Sequence, residues 1–420
     1  MSASRGRLPR LRPRPGRRLP RELRASNVGT IASMLPDGVR GPAFEELIHR
    51  IDEGPIHDGN RVDILVRGDD AFRSKKEAIQ TARSEILLES YILRDDETGR
   101  DVLESLAAAA SRGVAVRVLA DAFGSLTTGG SYWREMKRRG IEVHLFHPFW
   151  PYPWFHLFRD HRKILAVDRR IAFVGGMNLG REYGSPRPHG GTRTWRDTDA
   201  RIEGPAVREL ALVFSEAWSR AGGSALERAH TEESRTGSGA RILVLDSRPG
   251  RGHQESASVL AAIAAATRDY LWVTNAYFAP RALAIEALAH AVARGVDVRL
   301  LLPGKSDLPL VRHAGHGYFR DLLRRGVRIF EYHDAILHAK TLVADDYVSL
   351  VGSSNLDFRS FHLNAEANVV VMDEAVARRM AAVFCEDLRS AGEIQLEQWN
   401  GRPWFHKVGD GAARHLHPLL

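Results

Sequence analysis

Two copies of one short pattern constrain this chain more than any other feature. The first reads His161-Arg162-Lys163-Ile164-Leu165-Ala166-Val167-Asp168, the second His338-Ala339-Lys340-Thr341-Leu342-Val343-Ala344-Asp345. Each is His-x-Lys-x4-Asp, and each is followed at the same distance by a small-residue turn ending in asparagine. Those turns are Gly175-Gly176-Met177-Asn178 and Gly352-Ser353-Ser354-Asn355. The alternation around His-x-Lys suits a strand, which sets His and Lys side by side on one face. The turn then brings an amide and backbone N–H groups to the same end. One copy offers an imidazole, an ammonium and an amide, enough to grip part of a phosphate. Two copies can surround one.

Chance explains one copy better than two. A single match arises in about one chain in fifty of this size, and a second with a matching turn is far rarer. Composition adds an independent argument. The chain holds seven lysines against fifty-three arginines, yet both motif positions are lysine. A compact ammonium fits a tight site that a planar guanidinium fork does not.

These motifs resemble those of the phospholipase D superfamily, and the text around them is similar to its bacterial cardiolipin synthase branch. The stretches concerned are Leu88–Ile92, Arg159–Lys163, Trp195-Arg196-Asp197 and Glu203–Val207, then Tyr277–Pro280, Gly352–Ser360 and Asn364-Ala365-Glu366. The likeness runs from about residue 58 to the C-terminus. It implies an α/β chain of two duplicated phospholipase D-like sandwich domains, related by a pseudo-twofold axis with the active site at their interface. It also implies a phosphatidyltransferase that forms a covalent phosphohistidine on one motif histidine while the other protonates the leaving alcohol. In that reading His161 is the nucleophile and His338 the acid, then the base for the incoming alcohol, although pseudo-symmetry leaves the roles exchangeable. Lys163, Lys340, Asn178 and Asn355 hold the phosphoryl oxygens, with Ser353 and its counterpart Gly176 as further substrate contacts. Matching the helix starts Ala206-Val207 and Ala375-Val376 pairs Asp197 with Glu366 and leaves an insertion, Gly184–Gly191, in the first copy. The resemblance makes these acids orienters of the motif histidines; ordinary salt bridging is the alternative. Asp168 and Asp345 stand too far along the strand to touch the phosphate and read as structural. No metal or cofactor is needed, and His189, His313, His316 and His362 show no metal-ligand pattern. Hydrolysis by water, or a nuclease of the same superfamily, are the competing functions.

Elements alternate in both halves. Strands at 62–66, 86–92, 114–120 and 141–145 interleave with helices at 71–82, 100–111 and 132–139. The second half repeats the order with strands at 241–245, 270–275, 296–302 and 327–331 and helices at 256–267, 282–294 and 309–325. The domain boundaries expected are 1–40 for a disordered Arg/Pro-rich tail, 41–226 and 241–420 for the two domains, and 227–240 for a polar linker. Residues 1–26 carry nine arginines and one acid, Glu22, with prolines that oppose a helix.

A net charge of +8 calls for a polyanionic partner, nucleic acid or an anionic membrane surface. The resemblance favours an anionic phospholipid, with no nucleic acid. No stretch reaches eighteen uncharged apolar residues, so no transmembrane helix is expected. Many cardiolipin synthases carry such helices at the N-terminus; this chain is similar to the shorter type, placed peripherally at the cytoplasmic face of a bacterial membrane. The stretch Phe146–Phe158, rich in aromatics and prolines, suits either a membrane interface or a loop under the active site. The single cysteine, Cys385, reads as buried and inert.

Overall fold

The structure is a computed structural model that describes residues 28–147, 158–184, 194–226, 238–249, 255–404, 409–411 and 413. Residues 1–26, Trp150 and Trp154, the insertion from 185 onward with His189, and linker residues 227–237 lie outside the described residues.

Two seven-strand sets follow one plan. In the first half the strands run Glu142–Phe146, Ala115–Asp121, Glu85–Ser90, Lys163–Val167, Ile171–Gly175, Asp199–Glu203 and Ile56–Leu65 from the outside to the centre. The second half repeats this with Arg328–Tyr332, Asp297–Pro303, Tyr270–Thr274, Thr341–Ala344, Val348–Gly352, Asn364–Met372 and Ala240–Ser247. The outer three strands of each set are parallel and the others antiparallel. The centre is a seam where Ile56–Leu65 pairs antiparallel with its own counterpart Ala240–Ser247, with Ile56 opposite Leu243 and His57 opposite Ile242. Antiparallel pairing of equivalent strands is what a twofold relation requires, so the expected duplicated α/β fold is present as one continuous sheet.

Strand character follows burial. Lys163–Val167 is buried at every position and reads as a continuous apolar run after its lysine, as a strand covered on both faces should. On one face the helices Ala206–Arg220 and Glu374–Leu388 fill a core common to both halves, Leu210, Phe214 and Trp218 meeting Val244, Val369 and Met380. On the other face each half has its own core, built in the first half by helices Gly68–Thr81, Glu97–Ser111 and Gly130–Arg138.

Three expectations change. Residues 28–40 are structured, with a helix Val28–Ser33 and buried Ile31, Leu35 and Val39. They and the helix Pro42–Asp52 pack on the second half, where Phe44, Leu47 and Ile48 join Val259, Leu260 and Ile263 of helix Glu255–Ala266. The first domain therefore does not begin at residue 41. That second-half helix is apolar all round and needs cover on its outer face; the N-terminal helices supply it. Cys385 is exposed, on the outer side of helix Glu374–Leu388. Finally, the strand expected at 62–66 runs from Ile56 to Leu65, and the polar run His57-Asp58-Gly59-Asn60 is a bulge inside it. Gly59 takes φ 76°, and the register shifts between His57 and Asn60. Among the described residues no helix is long and apolar enough to cross a membrane.

Candidate active site

Each motif histidine begins where its chain crosses to the other half. Asp160 lies opposite Ala365 and Leu337 opposite Arg196 in short parallel bridges. The His161 N–H donates to Ala365 O at 2.9 Å, and the His338 N–H to Arg196 O at 2.7 Å. The residue after each of those carbonyls is the predicted carboxylate, so the two acids are exchanged between halves. His161 Nδ1 lies 2.9 Å from Glu366 Oε2, and His338 Nδ1 lies 2.7 Å from Asp197 Oδ2. With each Nδ1 engaged, Nε2 is the nitrogen left for chemistry. Arginines fasten the same crossing: Arg162 Nη2 reaches Asp246 at 2.5 Å, and Arg196 Nη2 reaches Asp387 at 2.7 Å.

The lysines stand beside their histidines as the strand period requires. Lys163 Nζ donates to His161 O at 2.6 Å; Lys340 Nζ donates to His338 O and lies 2.8 Å from His338 Nδ1. Burial pulls Lys163 down to about 7 and Lys340 to about 8. An entering anion favours the charged form of both.

The two acids differ. Burial raises Glu366 to about 7 although Lys163 opposes it, and Ser353, Ser360 and Asn364 all donate to the carboxylate, at 2.5, 2.7 and 3.3 Å. For Asp197 burial is outweighed, because Lys340 and His338 hold its carboxyl below the usual carboxylate range. His161 is pushed well below an ordinary imidazole by burial and then by Lys163 and Lys340. Burial and Lys340 also lower His338, while Asp197 pulls it back up.

The turns are set by backbone contacts. Asp199 accepts from Met177 N at 3.1 Å, and its counterpart Asn368 accepts from Ser354 N at 3.2 Å. Asn178 is spent on structure: its Oδ1 accepts from Ile92 N at 3.1 Å and its Nδ2 donates to Tyr183 Oη at 2.9 Å. Asn355 differs, since its buried Oδ1 has no hydrogen-bond partner among the described residues. Ser353 also departs from the sequence reading. Its hydroxyl proton goes to Glu366, and its N–H to Ala367 O, so it supports the acid rather than meeting a phosphoryl group. Gly176 N–H is likewise used, by Thr198 O, and a Cβ there would lie 2.2 Å from Asp197 Oδ1. Its lack of a side chain makes room for the acid.

Asp168 and Asp345 do the same structural job in both halves. At φ 51° and 49°, each accepts three backbone N–H groups from the loop ahead of the neighbouring strand: Arg83, Ser84 and Glu85, or Arg268, Asp269 and Tyr270.

Several aromatic residues at the site carry no signal in the sequence beyond the family resemblance. The Tyr91 ring packs edge-on against His161 at 4.8 Å, and Trp195 and Tyr277 stand 5.2 and 5.8 Å from His338. Tyr183 Oη lies 3.3 Å from His338 Nδ1 and bore no motif signal. Away from the site, His313 and His316 do converge, with Asp410, their donor atoms within 4.8 Å of one another. His316 is already held between Glu331 and Asp410, and Arg402 pairs with Asp410.

Comparison with known proteins points one way. A family model described as "Cardiolipin synthase, PLD-like domain" matches residues 76–186 and 259–388. The chain is 34% identical to a cardiolipin synthase of Halalkalibacterium halodurans over 383 residues, covering 89% of this chain and 75% of the relative. It is 35% identical to cardiolipin synthase A of Pseudomonas fluorescens over 373 residues, covering 87% and 76%. In fold it is similar to the crystal structure of phosphatidylserine synthase from Haemophilus influenzae, with a TM-score of 0.67, 12% identity, and 90% and 100% of the two chains covered.

Proposed function

Since the chain belongs to the cardiolipin synthase family with a phospholipase D-like domain, we propose that it transfers a phosphatidyl group from one phosphatidylglycerol to another, giving cardiolipin and glycerol. The observation that carries the mechanism is the exchanged pair of acids, each holding the Nδ1 of the other half's histidine. His161 Nε2 attacks phosphorus, a phosphorus–nitrogen bond forms, and the bond to the glycerol oxygen breaks. His338 gives that oxygen its proton. His338 then takes the hydroxyl proton of a second phosphatidylglycerol, whose oxygen attacks phosphorus and restores free His161.

The asymmetry of the acids supports this assignment. His161 is kept in its lone-pair form by burial and two lysines, as a nucleophile requires. His338 is lowered too, by burial and Lys340, but the ionised Asp197 at its Nδ1 opposes that and favours its imidazolium relative to that of His161. Lys163, Lys340 and Asn355 stabilise the equatorial phosphoryl oxygens. The protein acts peripherally on anionic phospholipid at the cytoplasmic face of the membrane and needs no cofactor.

The test is to incubate purified protein with labelled phosphatidylglycerol and separate the products. Cardiolipin and glycerol in equal amounts are expected, with acid-labile label trapped on the peptide containing His161. Phosphatidic acid as the sole lipid product would replace transfer with hydrolysis, and label on serine would end the mechanism.

A further inference from the structure

The reacting histidines are buried, so a two-chain lipid can present only its headgroup to them while its acyl chains stay outside. What surrounds the entrance therefore matters. Among the described residues, six large apolar side chains stand well out in solvent, and four of them fall in two equivalent strand-to-helix connections, loop and first helical turn. Phe123 and Leu126, 47% and 61% exposed, follow the strand Ala115–Asp121; after its counterpart Asp297–Pro303 come Leu308, 48% exposed, at the end of the loop, and Leu310, 46% exposed, in the first turn of helix Pro309–Arg324.

Both loops are fastened to the site. In the first, Leu93 N donates to Ser125 Oγ, which donates to Tyr91 O at 3.2 Å, and a Cβ at Gly124 would lie 2.8 Å from the Tyr91 ring that packs on His161. In the second, Tyr277 Oη donates to Asp307 at 2.9 Å, and the Tyr277 ring faces His338. Each motif histidine is thus flanked by a tyrosine, and each tyrosine by a loop whose next residues are exposed and apolar. Basic groups accompany them: the Arg159 guanidinium lies 4.3 Å over the Phe123 ring, Arg94 donates to Thr127, and Lys305 is exposed ahead of Leu308.

We propose that these two loops form a twofold-related rim that inserts into the surface of an anionic phospholipid bilayer, with Leu126, Leu308 and Leu310 entering the acyl boundary on either side of the site. Leucines supply apolar burial, and the neighbouring cations meet headgroup phosphates. A twofold rim also suits a reaction that brings two lipids from one leaflet to one pair of histidines. This rests on the phosphatidyl-transfer reading above.

The experiment compares wild type with Leu126→Ser/Leu308→Ser/Leu310→Ser by sedimentation with phosphatidylglycerol-containing vesicles. Vesicle binding should weaken about tenfold or more, and high salt should not erase the difference. The apparent KM for vesicular substrate should rise in step, while turnover of a short-chain phosphatidylglycerol below its micelle concentration stays at the wild-type rate. A gain variant, Leu126→Trp/Leu310→Trp, should bind vesicles more tightly. Unchanged vesicle binding in both variants overturns the rim, as does a change confined to oligomeric state. If wild type makes no cardiolipin but vesicle binding still follows the leucines, the reaction reading fails and the rim stands.

Discussion

In the first half a short acid, Asp197, meets a glycine, Gly176; in the second a longer acid, Glu366, meets a serine, Ser353. The backbones match, and the Asp160–Ala365 and Leu337–Arg196 bridges hold both acids at hydrogen-bond distance from the opposite histidine. The polar surroundings do not match. Glu366 has three side-chain donors and is raised to about 7, whereas Asp197 stays ionised beside Lys340. Asn178 is locked, and Asn355 keeps an oxygen with no hydrogen-bond partner among the described residues. Duplication gives two histidines the same position; the carboxylates behind them then diverge, Glu366 raised and Asp197 lowered. Symmetry of fold and asymmetry of protonation coexist because one depends on backbone pairing and the other on side chains behind it.

The comparison breaks most sharply at the histidines. His161→Ala and His338→Ala should each lower cardiolipin formation about a thousandfold or more. A donor with p-nitrophenol in place of glycerol separates them, because p-nitrophenolate leaves without a proton. His338→Ala should recover most of its rate on that donor in a single turnover, and His161→Ala none. Equal rescue of both would make the halves interchangeable.

The acids should follow the histidine they touch, not the half they belong to. Asp197→Asn and Glu366→Gln should each reduce kcat about a hundredfold with little change in KM, since a misoriented imidazole still admits substrate. The p-nitrophenol donor should rescue Asp197→Asn, which serves His338, and not Glu366→Gln. Rescue in the reverse order would mean that each acid serves its own half.

A smaller contrast separates the asparagines. Asn178→Ala leaves Ile92 N–H without its acceptor and should cost about 1–3 kcal/mol in urea unfolding. Asn355→Ala removes no contact of that kind and should leave stability unchanged while raising KM. A last contrast is in pH. A Glu366 raised from 4.5 toward 7 keeps its proton in the folded state after the unfolded chain has lost it. Stability is therefore present below about 4.5 and falls as pH rises toward 7, by at most about 1.4 kcal/mol per pH unit. Glu366→Gln should flatten that slope, and Asp197→Asn should not.

Much of this was legible in the sequence. Strands and helices from Glu85 to Phe146, and again from Tyr270 to Tyr332, show clear hydrophobic periods, and the structure keeps them within a few residues. The motif pairs placed both histidines and lysines, and the helix-start alignment paired Asp197 with Glu366. The crossing was not legible, because whether an acid serves its own half or the other depends on the Asp160–Ala365 and Leu337–Arg196 bridges, contacts over long sequence separation. Ser353 misled because its position beside Asn355 resembles a phosphate-binding turn, while its hydroxyl faces back to Glu366. The helix Pro42–Asp52 falls within the 41–226 span given to the first half by chain order, because nothing in the sequence says which half its apolar face covers.

That covering helix has a consequence in time. Phe44, Leu47 and Ile48 leave the ribosome about 200 residues ahead of Val259, Leu260 and Ile263, the side chains they pack against. At the usual rate of about 5–20 residues per second, the wait is about 10–40 s. Through that interval the apolar face of Pro42–Asp52 has no native surface to meet, while the neighbouring first-half helices can already assemble their own core. The newborn chain is therefore most prone to aggregate or to recruit a chaperone in its N-terminal segment, until the second half arrives to close over it.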